Sequence, residues 1–171
     1  MTYKRIDLNA LLGKNWCCFT SNEGLKASGE NVMGRGTAAV VKAKWPDVPA
    51  RYGEFLQRGD RGLFIMDDIK LIAFPVKPTT VLVKPDKSNI VAHMRHRVQP
   101  NTRQQGWMAL GYPELIRKSW CQLVTAIKNG QFGDEMIYLP NPGTGNAGVD
   151  PAIITQILDS NPTGQVTIIH L

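Results

Sequence analysis

Cysteine is sparse in this chain and odd in number. Cys17, Cys18 and Cys121 are the whole supply, and sequence neighbours such as Cys17 and Cys18 rarely bridge, so a disulfide framework is excluded and a reducing compartment implied. Small buried apolar residues is the plain reading of all three. Long apolar runs are missing too. Nothing approaches the roughly 18 consecutive apolar residues of a membrane span, and the opening MTYKRID holds no apolar signal core, so neither membrane association nor secretion is expected and the protein reads as cytoplasmic. Histidine is scarce as well. His93 and His96 stand three apart, but no cysteine or third histidine lies at ligand spacing, which argues against zinc or another metal. There is no G-x-S-x-G elbow, no Walker lysine motif, no internal repeat and no low-complexity tract. Nothing calls for a cofactor.

What is present is 171 residues that are 43% apolar and 20% charged, the profile of one soluble globular domain, residues 1–171, long enough to bury a proper core. The formal net charge of +6 is unevenly spread, because Lys84, Lys87, Arg95, Arg97 and Arg103 face only Asp86 between Thr79 and Tyr112. A basic patch over residues 84–103 can attract nucleic acid or an anionic ligand. A solvated loop that is merely basic reads the same way.

Along the chain, Ile6–Leu12 suggests an edge strand or short turn, and Trp16–Thr20 is the near-continuous apolar run of a strand buried on both faces. Ala38, Val41 and Trp45 repeat at helical spacing until Pro46. A second helix is expected over Pro49–Gln57, then strands over Leu63–Met66 and Leu71–Phe74 with Asp67-Asp68 as a tight turn between them. Residues 79–111 form an insertion, a lid or a flexible segment. Within it, Thr80–Val83 and Asn89–Met94 are expected to pair as a hairpin across Lys84–Ser88, with Gln99–Gly106 an exposed turn or disordered tip. Regular structure resumes as a helix from Pro113 to Asn129, followed by a strand over Met136–Leu139, a helix over Pro151–Leu158 and a last strand over Val166–His170. Strand, loop and helix alternate, which predicts an α/β fold: a three-layer α/β/α sandwich around a mixed, mostly parallel central sheet.

Two glycine loops carry the chemistry. In the first, Asn31-Val32-Met33-Gly34-Arg35-Gly36 precedes a helix, so unpaired N–H groups and the positive end of the helix dipole face outward, an anion-binding arrangement. In the second, Pro142-Gly143-Thr144-Gly145-Asn146-Ala147-Gly148-Val149 lies between a strand and a helix and contains G-x-G-x-x-G. A dinucleotide fold would also need a carboxylate about 20 residues on, at the end of the next strand. The chain instead ends Ile169-His170-Leu171, so the phosphate meaning is kept and the dehydrogenase meaning dropped. Either loop alone is equally a tight turn; two together suggest a ligand with two phosphates.

Lys77 leaves the carboxyl end of a buried strand between two prolines, the edge where open α/β sheets bind ligands. There a lysine acts as an amine nucleophile, holds a phosphate, or simply marks a strand exit. Asp150 reads as a helix N-cap or as a general acid or base. Asn22 reads as an Asx turn or as a hydrogen-bonding partner of substrate.

Taken in order, TSNEG (20–24), GENVMGRGTA (29–38), FPVK (74–77) and LPNPGTGNAGVD (139–150) resemble the macro domain family, closest to the bacterial and phage branch that includes antitoxins removing ADP-ribose from DNA. The resemblance covers nearly the whole chain apart from residues 79–111. It implies an ADP-ribose pocket whose diphosphate lies between residues 32–36 and 143–148, with Lys77 at the position of the lysine that attacks the anomeric carbon of the distal ribose, Asp150 assisting proton transfer, and Asn22 at the family's asparagine. Ala147 stands where the family loop has a glycine, and Pro151 where it has a tryptophan. The expected function is binding of ADP-ribose or an ADP-ribosylated macromolecule with hydrolysis of the ADP-ribosyl linkage. The alternatives are a non-catalytic binder of ADP-ribose or a related nucleotide, and a phosphatase acting on ADP-ribose 1″-phosphate.

Overall fold

The computed structural model describes residues 2–170. Its centre is Trp16–Asn22, here β2 because a short strand, β1 (Thr2–Arg5), precedes it. The first four residues of β2, Trp16–Phe19, are all apolar for a geometric reason. Side chains alternate across a strand, and β2 sends Trp16 and Cys18 into one core and Cys17 and Phe19 into another. Both faces are covered, so polar alternation is absent. Burial pushes the Cys17 thiol up to about 12 and the Cys18 thiol well above its usual range, which suits inert packing residues.

After β2 the chain forms α2 (Gly36–Lys44), α3 (Val48–Gln57), β3 (Phe64–Met66) and β4 (Leu71–Lys77). Later come α4 (Pro113–Lys128), β7 (Ile137–Pro140), α5 (Pro151–Asp159) and β8 (Val166–His170), each close to the range its periodicity indicated. The six-stranded sheet has the order β1-β8-β7-β2-β4-β3. All neighbours are parallel except β3, which runs antiparallel to β4. Ile72, Phe74 and Val76 of β4 join the face covered by α4 and α5, whereas Leu71 and Ala73 join the face covered by α2 and α3. A three-layer α/β/α sandwich results. No helix among the described residues is long and apolar enough to cross a membrane.

Two stretches differ from the sequence expectation. Residues 6–12 are not a strand: α1 spans Leu8–Leu11, with Asp7 accepting from the Asn9 N–H at 3.0 Å as its N-cap. Leu8 and Leu12, four apart, are both buried, the helical spacing that a short window hides. Thr80–Val83 does not pair with Asn89–Met94 either. Its strand, β5 (Thr80–Leu82), pairs antiparallel with β6 (Arg103–Gln105), which lies inside the stretch expected to be a turn or disordered tip. Ala92–Arg97 is 3-10 helix. Long-range packing decided this: Val83, Ile90, Val91, Met94 and Val98 collapse into a satellite core under Trp107, Met108 and Leu110. Asn89 closes the intervening turn by donating to the Leu82 carbonyl and accepting from the Lys84 N–H.

One packing contact ties a helix to the first glycine loop. Gly53 of α3 lies so near the main chain of Gly29 and Glu30 that a Cβ would meet the Gly29 carbonyl oxygen and sit 3.0 Å from the Glu30 Cα. Backbone cannot yield as a side chain does. Gly53→Ala is expected to cost about 1–3 kcal/mol, the range for overpacking, and to lower the thermal midpoint. Gly164→Ala, whose added Cβ meets nothing within 4 Å, should leave it nearly unchanged.

Candidate functional site

The chain leaves the carboxyl ends of neighbouring strands β2 and β7 in opposite directions. From β2 it passes to α2 on one face, and from β7 to α5 on the other, so the two connecting loops part above the sheet edge. Such a switch point is where open α/β sheets leave a crevice for ligand. Here the crevice is a cavity of about 600 Å³, within the range for small-molecule sites.

The first loop is folded back by two asparagines. Asn22 accepts from the Gly24 N–H at 2.9 Å and donates to the Val32 carbonyl at 2.7 Å. Fully buried Asn31 donates to the carbonyls of Asn22 and Gly24, each at 2.8 Å. This lock delivers Gly34 and Arg35 to the start of α2. Gly36 takes a left-handed φ of 58°, which favours glycine. The first intrahelical bond runs from the Ala39 N–H to the Arg35 carbonyl. The N–H groups from Gly34 to Ala38 find no partner among the described residues and carry the positive end of the helix dipole.

The second loop closes on itself. The Val149 N–H donates to the Gly143 carbonyl at 2.8 Å and the Gly148 N–H to the Gly145 carbonyl at 3.0 Å. Between these ties, the N–H groups of Thr144, Gly145, Asn146 and Ala147 have no partner among the described residues. The loops meet: a Cβ on Gly36 would lie 3.3 Å from the Asn146 amide nitrogen. Both rims therefore present main-chain donors to one cavity.

The sequence matches no protein-family model and no curated protein. Solved structures do match. The macrodomain of Mycobacterium tuberculosis DarG is 19% identical, with a TM-score of 0.63 over 99% of this chain and 97% of that one. The macrodomain of Thermus aquaticus DarG is 20% identical, with a TM-score of 0.64 over 98% and 95%. Thermosipho africanus DarTG, solved in complex with ADP-ribose, is 16% identical, with a TM-score of 0.59 over 90% of this chain and 37% of that one. This chain has the macrodomain fold.

Within the macrodomain frame the anticipated residues separate into two groups. Asn22, Val32, Gly34, Arg35 and Gly36 line the cavity, as do Lys77 and residues 143–147. Asn31, Met33, Pro142, Gly148 and Val149 do not. Met33 and Val149 belong to the cores, and Asn31 serves the loop lock. Asp150 is also away from the lining, since its carboxylate accepts from the Ala152 N–H at 2.8 Å and caps α5. The Asn22 side chain is already committed at both ends. Sequence reasoning missed Thr20, Thr37, Asn141, Trp107 and His170 on the cavity wall and considered His93 only as a metal ligand. Thr20 was within reach, because it follows a buried run into the carboxyl edge; Trp107 had no local signal at all.

The ionisable side chains on the cavity wall are all basic. Arg35, Lys77, His93 and His170 line it, and no aspartate or glutamate does. Lys77 ends β4, and its Nζ donates to the carbonyls of Trp107 at 3.3 Å and Asn146 at 3.4 Å. Burial, reinforced by the Arg35 guanidinium, lowers the Lys77 amine from 10.5 to about 8. His93 is also lowered, by desolvation first and then by Arg35 and Lys77.

The unfolded chain binds more protons than the folded one between pH about 8 and 10.5, so this lysine costs stability below that window and the cost fades as pH rises through it. NMR titration should place the Lys77 midpoint near 8, and Arg35→Met should move it upward because a neighbouring cation is lost. An ordinary lysine midpoint in the wild-type protein would refute this account of the site.

Proposed function

We propose that the protein binds ADP-ribose and hydrolyses an ADP-ribosyl linkage. The observation that carries this reading is the convergence of two rows of unpaired main-chain donors and Arg35 on one cavity into whose wall the Lys77 amine is set. A diphosphate suits such a place, since helix N-termini and N–H-rich loops bind anions. The ADP-ribose seen with the Thermosipho africanus neighbour supports the choice of ligand.

In this reading, neutral Lys77 attacks the anomeric carbon of the distal ribose. The N–C1″ bond forms as the bond to the attached group breaks. The surplus proton on nitrogen passes through His93 to the leaving group, and water then displaces the amine and releases ADP-ribose. Asp150 caps α5 and lies off the cavity wall, so this reading gives the proton transfer to His93; Asn22 shapes the first loop. The basic residues Lys84, Arg95, Arg97 and Arg103, all exposed, would draw in an ADP-ribosylated nucleic acid.

One observation favours a non-catalytic binder instead. The Nζ of Lys77 has two carbonyl acceptors, a setting that also suits an ammonium ion holding a phosphate. A phosphatase acting on ADP-ribose 1″-phosphate would likewise need no amine attack.

The test is to incubate the protein with ADP-ribosylated DNA and with ADP-ribosylated protein and follow free ADP-ribose. Wild type is expected to release it with a kcat/KM that rises with pH and levels off above about 8, the Lys77 value in the free protein. Lys77→Ala should reduce release at least about 100-fold, the scale of a lost catalytic group, while still binding ADP-ribose in calorimetry. Equal inertness of both proteins on both substrates would leave the binder reading. Release that tolerates Lys77→Ala, from ADP-ribose 1″-phosphate alone, would leave the phosphatase reading.

A further inference from the structure

The chain leaves the sheet at Lys77, wanders through residues 79–105, and returns beside the point where it left. At the return, the Gly106 N–H donates to the Thr79 carbonyl at 2.8 Å. A Cβ on Gly106 would run into the Pro78 carbonyl group and lie 3.0 Å from the Thr79 carbonyl carbon. Only glycine lets the returning strand sit this close. The next residue is Trp107.

Trp107 is held from several sides. Its indole N–H donates to Gln105 Oε1, and the ring packs on the satellite core of Val83, Ile90, Val91, Met94 and Val98. Its ring atom Cδ1 also lies 3.6 Å from where a Gly24 Cβ would be. The same residue lines the cavity, and its carbonyl accepts from Lys77 Nζ. The second acceptor, the Asn146 carbonyl, comes from the other side of the crevice. A lysine ammonium has three N–H donors. Two are taken by fixed main-chain carbonyls from two different segments, and the third direction is left for the cavity.

We propose that Trp107 is a positioning residue: its carbonyl, with that of Asn146, aims the Lys77 amine into the cavity, and its ring shields that amine from water. The 79–111 segment is thus a working part of the site, and the satellite core exists to hold one tryptophan at the exit of β4. The proposal rests on the amine's role given above, yet its main readout does not require turnover. The charges facing Lys77 are Arg35 from the α2 terminus and His93 from the same segment. Neither charge is removed by changing Trp107, and repeating the substitution in a His93→Gln background keeps a change in Lys77 titration specific to the lost shield.

The experiment compares wild type, Trp107→Ala, Trp107→Phe and Gly106→Ala by NMR titration of Lys77 and by kcat and KM for ADP-ribose release, with thermal melting as the check on folding. Trp107→Ala is expected to raise the Lys77 midpoint by about one pH unit, to cut kcat at pH 7 about tenfold, and to change kcat more than KM. Trp107→Phe should restore most of the shift. Gly106→Ala, if it folds, should resemble Trp107→Ala; if it does not, the Ala and Phe pair decides. A Lys77 midpoint that stays at its wild-type value in a folded Trp107→Ala protein overturns the proposal. If no variant and no wild type releases ADP-ribose, the hydrolase reading fails, and the titration still decides the role of Trp107.

Discussion

The site depends on one topological constraint: two adjacent parallel strands send the chain to opposite faces of the sheet. Had β2 and β7 both turned toward the same helical layer, their loops would have packed on each other and closed the crevice. Parting as they do, the loops leave their N–H groups facing across a gap, and the start of α2 adds its positive end. This arrangement asks little of particular side chains. It asks for glycine where the backbone must turn left-handed, as at Gly36 and Gly143, and for locks such as Asn22 and Asn31 behind the rim.

Placing Lys77 within this field has an electrostatic consequence. Arg35 and the His93 ring face the amine, and no lining carboxylate offsets them. Its proton is therefore held less firmly than in water, with burial the larger cause. A phosphate-bearing ligand would bring negative charge and strengthen the amine's hold on its proton. Binding and protonation at Lys77 are in this sense linked, each altering the other.

Most of the sheet was legible because its strands are buried on both faces or bounded by turn residues. Trp16–Phe19 announces itself through continuous apolarity, Val166–His170 through Val166, Ile168 and Ile169, and α4 through its apolar stripe of Ile116, Trp120, Leu123 and Val124, whereas β1, exposed along its length, carries no such signal. Both glycine loops were legible in sequence as strand-to-helix turns, because glycine spacing between a strand and a helix is local information. The 79–111 segment was not. Its order comes from contacts between residues distant in sequence, such as Val83 with Val98 and β5 with β6, and nothing in either stretch alone reveals the partner. Asp150 shows a residue with two local readings. A carboxylate beside a glycine loop invites a chemical role, and the helix start next to it offers the N–H of Ala152, which it caps.

The close approach of α3 to the Gly29–Glu30 main chain joins scaffold and site more tightly than a loop usually allows. Loops that bind ligands commonly open independently of the helices beneath them. Here the rim cannot swing outward without lifting off Gly53. Ligand occupancy of the proposed site should therefore be felt midway along a helix that lines no part of the cavity, as slower exchange of its buried amides, and any solvent or heat that loosens that helix would weaken binding in step.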